Sequence, residues 1–448
     1  MDMTRSIETI DQTYVWHPFT QMKQYTETKP LIIERGEGAY LIDVDGNRYL
    51  DGYASLWVNV HGHNDSAMNE AIIAQLGRIA HSTLLGAGNV PSSLLAKALV
   101  ERAPGPLSKV FYSDTGSAAV EIALKMAYQY WKNEDPKRYE QRNLFVSLEG
   151  AYHGDTIGSI SVGGVETFHG VFEPLLFETI QVPSPHPYAY ESEDEAMRVS
   201  LEALEHVFQT YGERISAFII EPLMQAAAGL IRHPDGYLKA VESLCRMYDI
   251  LLIADEVAVG FGRTGTLFAV EREGVEPDLL CLGKGLTGGY VPLAVTMATD
   301  RIYDAFLGTG YDDRTFLHGH TYTGNQVTCT AALKNIELFD ERNVLGHVRK
   351  TIERIQPSLR RLEALDVVGD VRAQGLMIGV ELTSDRATKR VAPTVWAERV
   401  VEAMKERGII IRNIGPVLTI VPVLMMAHDD VERILTTLYD VLRERTFE

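Results

Sequence analysis

The stretch Ile250-Leu-Leu-Ile-Ala-Asp-Glu-Val-Ala-Val-Gly-Phe-Gly-Arg-Thr-Gly265, with Leu282-Gly-Lys-Gly-Leu-Thr-Gly-Gly289 after it, decides the fold. One apolar run ends in an acid, Asp255; a second, Leu279–Leu282, leads into Lys284 between two glycines. Both runs are continuous rather than alternating, the pattern of strands covered on both faces. Leu144–Leu148 and Ala217–Ile220 read the same way. Between the runs lie helical patterns. Ala119, Ile122, Ala123, Met126, Ala127 and Tyr130 recur at three- and four-residue steps and make one helix face apolar. Strands alternating with helices over residues 66–334 predict a large α/β domain built on a mostly parallel sheet.

The two ends read differently. Residues 1–65 contain Ala39–Gly52, where Asp45-Gly-Asn47 turns one strand back on the next. Residues 335–448 hold long helical patterns and then three further strand-like runs, Gly375–Leu382, Ile409–Arg412 and Leu418–Val421. Together the ends are expected to form a smaller α+β domain.

At 448 residues, 46% hydrophobic and 23% charged, the chain is an ordinary globular protein, too long for a single core. Its formal net charge of −19 argues against nucleic acid or an anionic membrane surface as a general partner. Cys245, Cys281 and Cys329 sit in apolar contexts without metal-ligand spacing, as reduced core residues do. The start, Met1-Asp-Met-Thr-Arg-Ser-Ile-Glu8, lacks an apolar signal core. The longest apolar runs are strand length, short of the roughly 20 residues that cross a bilayer. A soluble cytoplasmic enzyme is the expectation. His61-Gly-His63 and His318-Gly-His320 have no cysteine or acid at ligand spacing, so hydrogen-bonding loop histidines are expected there and no metal site.

An acid and an amine at neighbouring strand ends match the needs of a pyridoxal phosphate enzyme. Such an enzyme needs a lysine to hold the aldehyde as a Schiff base and an acid to keep the pyridine nitrogen protonated. A buried salt bridge is the plainer alternative, and the glycines beside Lys284 speak against it. Phe111-Tyr-Ser-Asp-Thr-Gly-Ser117 runs into the helix noted above. There Gly116 permits close approach, Ser117 offers a hydroxyl, and the helix start presents N–H groups to an anion. In Tyr152-His-Gly-Asp155, Tyr152 suits stacking on a ring. Glu221 ends another apolar strand and falls on the same sheet edge as Asp255. Glu256 alternates with Asp255 across the pleat, so only one of the two faces a ring nitrogen, and the spacing leaves open which. Arg412, ending Ile409-Ile-Ile411, is a candidate fork for a carboxylate.

These segments resemble the signature of the class III (ω-type) aminotransferases, pyridoxal phosphate enzymes of fold type I, from about residue 14 to the C-terminus. The resemblance implies a seven-stranded sheet in the large domain and a homodimer with shared active sites. It makes Lys284 the cofactor-bearing lysine and Asp255 the partner of the ring nitrogen. Val257 and Tyr152 would enclose the ring. Gly116 and Ser117 would bind the phosphate, which Thr321 would reach from the partner subunit. Amino donor and keto acceptor would react in turn, by a ping-pong mechanism, with Lys284 moving the proton.

Trp16-His-Pro-Phe-Thr-Gln-Met22, His61-Gly-His63, Tyr152-His-Gly-Asp155 and Ile411-Arg-Asn-Ile-Gly415 resemble the biotin-pathway branch of that class more narrowly. In that branch Arg412 matches the arginine that grips the acceptor's carboxylate and Trp57 a pocket aromatic. Asp155 aligns with the acid near the acceptor's amino group, beside Tyr152. The commonest form takes S-adenosylmethionine as donor and carries a tyrosine and a tryptophan where this chain has Phe19 and Leu56. These two residues resemble the variant that uses lysine. A general ω-aminotransferase of amines with pyruvate as acceptor, and a non-catalytic binding module of the same fold, are the alternatives.

Overall fold

A computed structural model describes residues 6–310, 313–445 and 447. Its centre is a seven-stranded sheet of β1 (Leu107–Ser113), β2 (Leu144–Leu148), β3 (Thr179–Val182), β4 (Ile215–Ile220), β5 (Leu251–Asp255), β6 (Leu279–Leu282) and β7 (Ala294–Thr299). The spatial order is β1-β7-β6-β5-β4-β2-β3. Neighbours pair in parallel except at β7, which runs antiparallel to β6 and β1.

The continuous apolar runs are explained by two cores. Successive side chains of a strand point to opposite faces. Phe218, Ile220, Leu252, Ala254, Leu280 and Leu282 enter one core, while Ala217, Ile219, Leu251, Ile253, Leu279 and Cys281 enter the other. The helix Gly116–Glu134 covers the second face, and all six residues of its predicted apolar stripe are buried there. The three cysteines are free and buried.

Both ends of the chain build one further sheet. Ile33–Glu37, Tyr40–Asp43 and Arg48–Asp51 form an antiparallel meander, with Gly46 at the expected hairpin, and Ile409–Ile410 pairs in parallel with Arg48–Asp51. The run Ile409–Arg412, expected as one strand, is divided. The chain leaves that sheet at Ile411, and Arg412–Ile414 joins a second sheet through Val417–Ile420. Met377–Asp385 pairs there with Val368–Gln374, a strand too polar to stand out in the sequence. No helix of the described residues is long and apolar enough to cross a membrane.

Candidate active site

Parallel strands aim their carboxyl ends at one edge, where ligands of open α/β sheets bind. Here β1, β2, β4, β5 and β6 deliver Gly116 and Ser117, Tyr152, Glu221, Asp255 and Lys284 to the wall of one cleft. Register brings the key pair together: Asp255 lies opposite Cys281, so the turn after β6 sets Lys284 beside it.

Asp255 is held at both oxygens. Oδ1 accepts the Val257 N–H at 3.0 Å, and Oδ2 lies 2.7 Å from His153 Nδ1. Glu256 points away from the cleft and accepts the N–H groups of Ala269 and Val270 at 2.6 and 2.9 Å. Burial pushes its carboxyl up to about 8. The choice left open by the pleat therefore falls on Asp255. Glu221, also buried, accepts the N–H groups of Tyr152 and Ala226 at 3.1 and 2.9 Å, and burial raises it to about 7.

Lys284 adopts φ 42° in its glycine-flanked turn. Burial pushes its amine below the usual lysine range, opposed by the carboxylates of Asp255 and Glu221. Its Nζ sits 5.1 Å from the centre of the Trp57 ring. Trp57 belongs to a strained turn in which Ala54, Ser55 and Trp57 all have positive φ. Such backbone persists where surroundings over-determine it. The buried Asp51 does so, accepting the N–H groups of Tyr53 and Ser55 at 3.1 and 2.8 Å and contacting His63 Nε2 at 2.9 Å.

The opposite wall is the start of helix Gly116–Glu134. Thr115 Oγ1 accepts the Ala118 N–H at 3.3 Å, and the earlier N–H groups of Gly116 and Ser117 have no intrahelical acceptor. A Cβ at Gly116 would meet Val257 Cγ1 at 2.5 Å, and Gly154 (φ 119°) lies where a side chain would strike Ser117. A depressed amine, an anchored acid, a bare helix start and two places where only glycine fits suit pyridoxal phosphate in donor chemistry and close approach.

The remaining predicted residues, Thr321 apart, reach the wall directly or through one neighbour. Asp155 accepts the Tyr152 hydroxyl at 2.7 Å, and its N–H donates to Ser117 Oγ at 3.2 Å. Phe19 is 68% exposed and reaches the wall through Phe168, 5.5 Å between ring centres. Leu56 is half exposed beside Trp57. Arg412 lies over Tyr53 at 5.8 Å, and Tyr53 packs edge-on against Trp57. Thr321 does not line the cleft of its own chain; its carbonyl accepts from His81 Nε2 at 3.0 Å. Sequence reasoning passed over Asp51, Thr115 and His169, whereas the tight approach that a glycine permits in Tyr152-His-Gly-Asp155 is the one Gly154 makes to Ser117. It left His153 uninterpreted, although its place after the end of β2 was the signal that it reaches the same edge.

The family described as "Aminotransferase class-III" matches residues 21–442. The adenosylmethionine-8-amino-7-oxononanoate aminotransferase of Staphylococcus aureus is 53% identical over 434 residues, 96% of each chain. The crystal structure of the enzyme of the same name from Methanocaldococcus jannaschii superposes with a TM-score of 0.92 at 46% identity, covering 98% of both chains. The omega transaminase of Pseudomonas jessenii in complex with PMP gives 0.93 at 30% identity, again over 98% of both. The fold is that of the fold type I pyridoxal phosphate enzymes. The chain belongs to the class III aminotransferase family, and it is an aminotransferase.

Proposed function

We propose that this enzyme transfers an amino group to 8-amino-7-oxononanoate, giving 7,8-diaminononanoate for biotin synthesis, by a ping-pong reaction using pyridoxal phosphate. The observation that carries the cofactor reading is the meeting of Lys284, Asp255 and the Gly116 helix start in one cleft. The acceptor rests on the relatives that are about half identical over nearly the whole chain, together with Trp57 and Arg412 beside that cleft.

When bound, pyridoxal phosphate supplies an aldehyde that exchanges amino groups and a protonated ring that draws electrons from the bond being broken. Asp255, fixed by His153 and the Val257 N–H, would pair with the ring nitrogen and keep it protonated. Gly116 and Ser117 would hold the phosphate with backbone N–H groups and a hydroxyl. Val257 and Tyr152 would enclose the ring. Lys284 would anchor the cofactor and, once released, would take the proton from the substrate carbon that bears the amino group, a task that needs the neutral amine that burial favours. Trp57 shapes the pocket, with Leu56 and Phe19 at its mouth. Arg412 binds the acceptor's carboxylate, and Asp155 faces its amino group.

The donor has two supported readings. Relatives carry adenosylmethionine in their names, whereas Phe19 and Leu56 leave the rim without a tyrosine hydroxyl or a second tryptophan, which suits lysine. We read the active form as a homodimer in which Thr321 completes the partner's phosphate site. Exposed Leu85, Val90, Leu317 and Tyr322 lie on two segments tied together by His81 and Asn89, an apolar surface of the kind that marks an interface. The cytoplasm is the compartment that fits three unpaired cysteines.

The test follows each half-reaction at the absorbance of the bound cofactor, with lysine and S-adenosylmethionine as donors, and 8-amino-7-oxononanoate and pyruvate as acceptors. Lys284→Ala is the dead control: it should bind the cofactor without the absorbance of the lysine-bound form and should not transaminate. Pyruvate turned over as well as the amino ketone would favour a general ω-aminotransferase, the reading that the Pseudomonas jessenii enzyme supports.

A further inference from the structure

The turn Glu166–His169 touches the cleft wall twice. Phe168 sets its ring against both Phe19 and Tyr152, at 5.5 and 6.3 Å between centres. His169 is buried and stacks on Tyr152, 5.8 Å between centres and 17° between planes. Its Nε2 lies 3.3 Å from Asp155 Oδ1, while the Tyr152 hydroxyl occupies Asp155 Oδ2 at 2.7 Å. The Asp155 side chain is nevertheless 51% exposed. A solvent-facing carboxylate at the cleft rim is thus held at both oxygens by the wall behind it. Left free, it would spread over several rotamers and lose that aim.

The second ring nitrogen decides what kind of partner His169 is. Nδ1 is buried and has no hydrogen-bond partner among the described residues. It sits close to Gly163, where a Cβ would come within 3.2 Å of it. The ring therefore meets its partner through Nε2, and that partner is Asp155, so its place in the wall orients the carboxylate.

We infer that His169 is a positioning residue: by fixing Asp155, it sets the enzyme's recognition of the second amino group of the acceptor, the group that separates an amino ketone from a simple keto acid. The inference rests on the acceptor proposed above. Tyr152 and Phe168 transmit the same constraint to Phe19, so one surface turn aligns the rim that meets the substrate.

The holoenzyme and its His169→Phe and His169→Gln variants are compared with two acceptors, 8-amino-7-oxononanoate and its desamino analogue 7-oxononanoate. Phenylalanine keeps the stack on Tyr152 and removes the Nε2 bond, while glutamine restores a donor. The near-ultraviolet circular dichroism of the bound cofactor reports whether its surroundings are intact. In His169→Phe, KM for the amino ketone should rise about tenfold, as expected when one hydrogen bond to a charged group is lost. kcat and the constants for 7-oxononanoate should stay within about threefold, with the dichroism unchanged, and His169→Gln should recover most of the loss. An equal loss for both acceptors, or an altered cofactor signal, would mean a merely structural role and overturn the inference. Wild-type discrimination retained in His169→Phe would overturn it while leaving the proposed acceptor in place. A wild-type enzyme indifferent to the acceptor's amino group would overturn both.

Discussion

Gly116→Ala tests the cleft at its tightest point. A Cβ there would stand 2.5 Å from Val257 Cγ1 and 3.1 Å from Cγ2, where ordinary carbon contacts are about 3.5–4.0 Å. Something must therefore move by roughly 1 Å. Val257 has little room to yield, because its N–H is held by Asp255 Oδ1 and its side chain also covers Gly283. Overpacking of this kind costs about 1–3 kcal/mol. For a chain of this length the entropy of unfolding is about 1 kcal/mol per kelvin, so Tm should fall by only about 1–3 °C. Cofactor binding should suffer more, since the clash separates the helix start from Asp255, and displacements near 1 Å in a site cost on the order of 100-fold.

The assay is titration of the apoenzyme with pyridoxal phosphate, alongside calorimetric unfolding. The dissociation constant should rise at least about tenfold in Gly116→Ala. Val257→Ala removes both methyl groups that the new Cβ would strike. The double variant should therefore bind and unfold better than the sum of the single changes, with a coupling of about 1 kcal/mol or more. Cofactor affinity within about twofold of wild type, with additive single effects, would refute the reasoning.

Three further outcomes follow from the same geometry. Burial raises the Glu221 carboxyl from its usual 4.5 to about 7, so the folded chain holds that proton more tightly than the unfolded one. The stabilisation is complete below 4.5 and lost as pH rises through about 7; Glu221→Gln should flatten this part of the stability profile, measured as denaturant midpoint against pH. Arg412→Ala should raise KM for the carboxylate-bearing acceptor by about 10–100-fold with a smaller change in kcat, as loss of a charge-assisted hydrogen bond predicts, and steady-state kinetics with Arg412→Lys should show partial retention. Phe19→Tyr returns a hydroxyl to the rim and should shift the half-reaction rate toward S-adenosylmethionine over lysine by about 2–10-fold, the worth of one neutral hydrogen bond; single-turnover absorbance checks it.

The parallel core was legible because its strands are covered on both faces, which leaves continuous apolar runs at β2, β4, β5 and β6. Thr179–Val182 escaped notice because an edge strand, half exposed, needs no such run. Asp255 and Glu256 could not be separated, since alternation gives each a face but does not say which face holds the cleft. The answer lies in amides at Ala269 and Val270, well downstream. Asp51 and His169 were invisible for the same reason. Each is an ordinary residue in sequence, given a role by a partner that only the folded chain brings near, His63 in one case and Asp155 in the other.

The fold also separates two tasks that a transaminase must keep apart. The residues proposed to meet the cofactor stand at the carboxyl ends of strands buried on both faces, where the register between β5 and β6 fixes Asp255 against the Lys284 turn. Most of those proposed to meet the substrate come from elsewhere, Phe19, Leu56 and Trp57 from the N-terminal segment and Arg412 from the strand where the chain changes sheets, while Asp155 shares the loop after β2 with Tyr152. Trp57 links the two sets, reaching Lys284 from a strained turn that Asp51 holds in place. Phe19 reaches the cleft wall through Phe168 and Arg412 through Tyr53, so changes at either position act on the wall through one neighbour. A change at Asp51 would release Trp57 and alter both tasks at once, so the rim is free to vary in substrate only as far as that turn.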